Sequence, residues 1–124
     1  MKFACFVMAL VCASGSLWAQ EPWLYAPMVD ACAARSESEG GPQSCIGDAA
    51  SACMVGEQDG ETTVGIMFCM LDERNAWDVI LNAEYQQTRD FAQEMDAEDL
   101  KLFPEYAVRA EQILAAQRAW IAFR

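Results

Sequence analysis

The sequence contains no histidine, and only 8 of its 124 residues are lysine or arginine. Without histidine, the chain lacks the usual proton shuttle and the common nucleophile–base pairs of enzymes. It also lacks a Cys-x-x-Cys pair, so the ligand pattern of a structural zinc site is missing. The glycines form no phosphate-binding loop, and no serine stands in a Gly-x-Ser-x-Gly context. We therefore expect no enzyme, no metal site and no cofactor.

Basic residues are scarce, whereas aspartate and glutamate number 19, which gives a formal net charge of −11. Nucleic acids and anionic lipid surfaces bind basic patches, so both are poor partners for this chain. A cationic protein would be attracted. The simpler interpretation is that the excess of carboxylates only keeps the protein soluble.

Long hydrophobic runs are absent as well. The apolar run from Phe3 to Val11 is shorter than the roughly 20 residues that a membrane-spanning helix needs. It follows Lys2 and precedes a small-residue segment that ends at Ala19, which is typical of a secretory signal peptide. We therefore predict a signal peptide over residues 1–19.

The mature domain would then comprise residues 20–124, and removal of Lys2 would change its net charge from −11 to −12. Cys12 raises the alternative of a lipid-modified N-terminus. The residue before it is Val11, where lipoprotein processing requires a small residue. We therefore expect a periplasmic or secreted protein without a stable membrane anchor.

Four cysteines remain after the signal segment, and an even number in a small exported chain is typical of disulfides. Four cysteines allow three connectivities. The short spacing favours one bond from Cys53 to Cys69, and a second bond would then join Cys32 to Cys45.

The periodicity of apolar residues predicts an all-α fold. We expect two short helices, at Pro27–Arg35 and Pro42–Met54, with Cys45, Ala49 and Cys53 on one face of the second. A long helix should follow over Val64–Met95, capped by Thr62 or Thr63. After a polar turn, Pro104 should open a final helix that extends over Glu105–Arg124. The architecture is a small disulfide-braced bundle, built on an antiparallel pair of long helices with two short N-terminal helices.

The two long helices each carry aromatic residues on one face, so we expect these faces to form the core between them. On the long helix the core residues would be Trp77, Leu81 and Tyr85, and on the last helix Ile113, Gln117 and Trp120. Charged residues on both helices are candidates for ion pairs that set the register: Glu73, Asp78, Arg118 and Arg124. The alternative is that these four are surface charges, worth about 0–1 kcal/mol each.

Two segments resemble a known family. The first is Thr62–Cys69, followed by Glu73, Trp77-Asp78, Leu81-Asn82 and Tyr85; the second is Leu114–Arg124. Together they resemble the lysozyme inhibitor LprI-like N-terminal domain over roughly Cys53–Arg124. In that family an Asp and another Cys usually follow the last Arg. We expect this chain to be a fragment truncated at its C-terminus, the alternative being a natural short form.

The resemblance implies an exported, disulfide-containing helical protein that inhibits lysozyme. Lysozymes are cationic, so an acidic domain would be steered toward them, and salt would weaken this effect. The sequence identifies no inhibitory loop; the exposed acidic candidates are Asp59, Glu61 and the loop Glu37–Glu39. A second hypothesis stays open, that of a structural or accessory envelope protein whose acidity serves solubility. An acidic cluster beside an apolar rim would favour the inhibitor, and evenly spread acid the accessory protein.

Overall fold

The longest helix determines the layout of the protein. A computed structural model of the chain describes residues 23–123, and the predicted signal peptide and Arg124 lie outside the described residues. Helix α3 has 37 residues, and at 1.5 Å per residue it is about 55 Å long. The other α-helices pack along it. In chain order, the α-helices are α1 Ala26–Ala33, α2 Asp48–Gly56, α3 Thr63–Asp99 and α4 Arg109–Phe123.

Three short 3-10 helices connect these elements, at Glu37–Glu39, Pro42–Cys45 and Pro104–Tyr106. Among the residues described, the structure contains helices and no strand, so the predicted all-α fold is confirmed. Helices α1 and α2 contact the first half of α3, and α4 contacts its second half. Asp96 near the end of α3 meets Arg109 at the start of α4. Further along α4, Ala116 lines a cavity with the earlier α3 residue Thr88, so these two helices are antiparallel.

The prediction of one helix over Pro42–Met54 is wrong, because the segment divides at Gly47. A 3-10 helix ends at Cys45, and Gly47 has a left-handed backbone with φ of 95° before α2 begins. Cys45 therefore does not share an α-helical face with Ala49 and Cys53. The reason is a long-range contact, since a carboxylate from α3 binds the N–H groups at the start of α2.

Helix α3 begins where the sequence predicts. The hydroxyl of Thr62 accepts a hydrogen bond from the N–H of Gly65 at 3.1 Å, so Thr62, not Thr63, is the capping residue. The helix continues about one turn past the predicted end at Met95. The last helix begins later than predicted, because Pro104 opens only a 3-10 helix and α4 starts at Arg109.

The core is small, and half of its buried apolar residues are cysteines. Of the eight buried apolar residues in the described part of the chain, four are cysteines. They form two disulfides, Cys32–Cys45 and Cys53–Cys69, which are the pairs that the spacing predicts. Cys53 and Cys69 pack with Ala50, and Trp23, Tyr25 and Met54 lie against this cluster. Disulfides and small side chains thus hold α1 and α2 against α3.

Candidate binding groove

An apolar groove of about 560 Å³ lies beside the first half of α3, where α2 begins. Gly47 and Ala50 line it from the side of α2. Preformed concave apolar surfaces with a few polar groups are typical of binding sites. The apolar side chains that line the groove are Ile46, Met70, Trp77, Ile80 and Leu81.

Glu73 anchors α2 to α3 at the edge of this groove. Its side chain is buried, with the residue only 5% exposed. The N–H groups of Gly47 and Ala50 each donate a hydrogen bond of 2.6 Å to its carboxylate oxygens. Gly47 has no side chain that could cap α2, so Glu73 supplies the acceptor and places a negative charge at the positive end of the helix dipole.

The same carboxylate orients Trp77. The indole Nε1–H donates to Oε1 of Glu73 at 3.1 Å, from one helical turn along α3. The indole is therefore tied at its polar end, while the side chain borders the groove. The Cys53–Cys69 disulfide is a second, covalent link between α2 and α3.

Three charged side chains of α3 complete the lining. Asp78 is half-buried, whereas Glu84 and Arg74 are exposed. Arg74 donates a hydrogen bond of 2.9 Å to the side-chain oxygen of Asn75. The polar border of the groove thus carries more acidic than basic groups.

A second carboxylate of α3 repeats the role of Glu73 at the far end of the helix. Asp96 is buried and accepts hydrogen bonds from the N–H groups of Arg109, at 3.1 Å, and Ala110, at 2.9 Å. Arg109 also pairs through its guanidinium with Asp96 at 3.2 Å and with Asp99 at 2.6 Å. These contacts cap the N-terminus of α4.

These contacts change the acidity of Asp96. The N–H of Ala110 is the largest cause of the lowered pKa of Asp96, and the N–H, hydrogen bond and charge of Arg109 lower it further against the opposing effect of burial. The hydrogen bonds and the positive charge of Arg109 favour the charged carboxylate, whereas burial disfavours it.

The turn between α2 and α3 forms an acidic surface. It lines a shallow cavity of about 420 Å³ with Glu57, Asp59 and Glu61, and Asp59 has a positive φ of 62°. Tyr25 contacts this region. Burial raises the pKa of Tyr25, and the charge of Glu57 and a hydrogen bond with it raise it further. The exposed acids Asp59 and Glu61 line the same cavity as Glu57.

The other acidic candidate, Glu37–Glu39, forms a 3-10 helix. Ser36 precedes this helix, and its hydroxyl donates a hydrogen bond to the carboxylate of Glu39.

The residues expected between the long helices are less buried than a core requires. Leu81 and Trp120 are each 41% exposed. The remaining four are half-buried: Trp77, Tyr85, Ile113 and Gln117. Trp77 and Leu81 line the groove, and Ile113 lines a separate cavity with Ala92 of α3. The only residue of the α3–α4 contact that is both apolar and buried in the described part is Ala92.

The structure describes three of the four candidates for ion pairs. Glu73 faces α2 and not α4, and Asp78 borders the groove. Arg118 is exposed on α4, and Arg124 lies outside the described residues. Arg109, which was not among the candidates, forms ion pairs with Asp96 and Asp99.

Sequence reasoning missed Asp96 and Arg109. The local sequence predicts a polar turn around Asp96 and the first part of the last helix around Arg109, and neither pattern indicates a contact between them. The signal that could have found Asp96 is the lack of a capping side chain before α4, where Val108 precedes the helix.

The described residues contain neither a metal-binding cluster nor a membrane-spanning helix. No three His, Cys, Asp or Glu side chains of residues 23–123 are grouped to hold a metal ion. Over the same residues, no helix has both the length and the apolar composition that a membrane crossing requires.

The fold and the groove define a class: small, acidic, disulfide-braced helical proteins with a preformed apolar groove. The sequence pattern of the family described as Lysozyme inhibitor LprI matches residues 53–124, which include α3, α4 and the end of α2. The match covers more than half of the chain, and the chain belongs to this family. No curated protein and no solved structure matches the chain significantly.

Proposed function

We propose that this protein is exported and inhibits lysozyme by binding to it. The observation that carries the proposal is its membership of the family described as Lysozyme inhibitor LprI. The two disulfides support an oxidising, extracytoplasmic location, because such bonds persist outside the reducing cytoplasm. The net charge of −11 supports a cationic partner, since opposite charges steer association.

Inhibition by binding needs a rigid surface rather than reactive groups. The Cys53–Cys69 disulfide and the Glu73 contacts hold α2 against α3, and Cys32–Cys45 joins α1 to the segment before α2, so the surface around the groove is formed before the partner arrives. Preorganisation of this kind increases affinity, because less conformational entropy is lost on binding.

Calorimetric titration of the oxidised protein with a lysozyme tests the proposal, together with a turnover assay on cell walls. We expect stoichiometric binding that persists at physiological salt and stops turnover. Binding only at low salt, with turnover unchanged, would contradict an inhibitory function.

A structural or accessory role in the cell envelope is the second candidate, and one observation favours it. Exposed acidic residues occur on several elements and not only beside the groove. Such a distribution serves solubility without requiring a partner. The turnover assay distinguishes the two candidates, because an accessory protein would leave lysozyme active. The exposed acidic residues away from the groove include Glu37, Asp59, Asp90, Glu94, Glu105 and Glu111.

A further inference from the structure

We infer that the apolar groove beside Trp77 is the surface that binds lysozyme, and that it takes a segment of the enzyme with an apolar side chain next to a basic one. This inference rests on the proposed function and adds to it the location and chemistry of the contact.

Several apolar side chains that line the groove are exposed to solvent. Met70 is 59% exposed, Ile46 is 62% exposed and Leu81 is 41% exposed, although all three line one cavity. Apolar surface that is gathered in a concavity gains free energy when a partner covers it. The cavity of about 560 Å³ is large enough for more than one side chain.

The side chain of Trp77 is held in place before a partner binds. Its indole is tied to Glu73, and Glu73 is tied to the backbone of α2. Tryptophan side chains in well-packed interface pockets are frequent binding hot spots. Because this one is already fixed, little side-chain entropy would be lost when an apolar group packs against it.

Charge favours a basic group in the occupant of the groove. Glu84 is exposed at the border of the groove, within a molecule of net charge −11. A basic side chain that reaches Glu84 would also lay its aliphatic stem on the apolar wall. A second copy of this chain is disfavoured at the same place, because two molecules that each carry −11 repel one another.

A matched pair of substitutions on α3 tests the inference. Met70→Glu places a carboxylate in the groove, whereas Val79→Glu makes the same change at a position that is 69% exposed and does not line it. Both variants gain one negative charge, so long-range attraction to lysozyme changes equally. We expect Met70→Glu to raise the Kd for lysozyme about tenfold or more, and Val79→Glu to leave it within about twofold.

A second pair tests the basic contact. Glu84→Lys should weaken binding more than Glu94→Lys, which makes the same charge change at an exposed position of α3 that does not line the groove. Melting temperatures of all four variants establish that each is folded.

The outcomes distinguish a failure of the groove as the contact from a failure of the proposed function. If the unaltered protein binds lysozyme and Met70→Glu binds equally well, or if both glutamate variants weaken equally, the groove is not the contact and the proposed function stands. If the unaltered protein does not bind lysozyme at all, the proposed function fails and the inference fails with it.

Discussion

Two carboxylates of α3 each cap the N-terminus of another helix. Glu73 binds the N–H groups of Gly47 and Ala50, and Asp96 binds those at the start of α4. A helix N-terminus leaves its first N–H groups without intrahelical partners, and serine, threonine, asparagine or aspartate at the N-cap usually satisfies one of them. Here the acceptor comes from a distant part of the chain. The cap therefore also fixes how the helices pack.

Removal of the Glu73 carboxylate should destabilise the protein strongly. Glu73→Ala leaves the N–H groups of Gly47 and Ala50 and the Trp77 indole N–H without their acceptor, and we expect a loss of about 2–4 kcal/mol in the free energy of unfolding. Glu73→Gln keeps one carbonyl oxygen but directs an amide N–H at a donor, so its loss should be smaller. Urea denaturation followed by circular dichroism measures both.

Glu94→Gln is the control for these variants, since Glu94 is exposed on the same helix and should change stability by no more than about 0.5 kcal/mol. A Glu73→Ala protein as stable as this control would contradict the capping role.

Asp96 should make stability depend on pH in the acid range. Its pKa is lower in the folded protein than in the unfolded chain, because N–H groups and Arg109 favour the carboxylate. The stabilisation is therefore complete above the unfolded pKa of about 4 and is lost as the pH falls through the folded pKa.

We expect Asp96→Asn to lower the melting temperature at pH 7, and the difference from the unaltered protein to shrink below about pH 4. Thermal melts between neutral and strongly acidic pH measure this difference. A constant difference at every pH would show that the charge of Asp96 is not the cause.

At the scale of the elements, disulfides replace the large apolar core that longer chains use. Cys53–Cys69 joins α2 to α3, and Cys32–Cys45 joins α1 to the segment before α2. By contrast, α4 contacts α3 with little buried apolar surface in the described part, and the Asp96–Arg109 contacts hold its start. The two ends of α3 are therefore stabilised by different chemistry.

Replacement of the Cys53–Cys69 disulfide should lower stability by about 3 kcal/mol in the chain-entropy model, because the bond closes a loop with a sequence separation of 16. The double variant Cys53→Ala/Cys69→Ala and chemical denaturation measure the effect. Cys32→Ala/Cys45→Ala is the comparison, with a separation of 13 and a similar expected loss.

A non-reducing peptide map tests the pairing directly. We expect fragments that link 32 with 45 and 53 with 69. Fragments that link 32 with 53, or 45 with 69, would contradict it.

For the molecule as a whole, charge should control the rate of association with lysozyme more than the lifetime of the complex. A net charge of −11 attracts a cationic enzyme over distances that salt screens, with a Debye length of about 8 Å at physiological ionic strength. Apolar contacts in the proposed binding groove would be short-ranged and would respond less to salt. The affinity for lysozyme should therefore depend both on the net charge and on the apolar contacts in the groove.

We expect the association rate constant to fall by about tenfold or more between low and physiological salt, while the dissociation rate constant changes little. Surface plasmon resonance or stopped-flow fluorescence measures both constants. An association rate that salt does not change would contradict electrostatic steering.

Much of the fold follows from local patterns. The apolar spacing after Thr62 predicts α3, and the Thr62 hydroxyl caps it as a local rule requires. The short sequence separations of the cysteines favour, among three possible connectivities, the pairing that the structure contains. The same periodicity finds Trp77 and Leu81 as an apolar face, but it does not show what covers that face. In the structure they line a groove.

The sequence by itself determined the helical class, the start of α3 and the acidic charge, because each depends on composition or on residues close together in the chain. Of the three possible cysteine connectivities, the sequence only favoured the one that the structure contains. Only the tertiary structure decided where α2 and α4 begin and that a groove lies beside Trp77. Those features depend on contacts across long separations: the carboxylate that caps α2 lies 26 residues after Gly47 and 23 after Ala50. A periodic pattern identifies an apolar face, whereas the packing of distant helices determines whether that face is buried or left open to a partner.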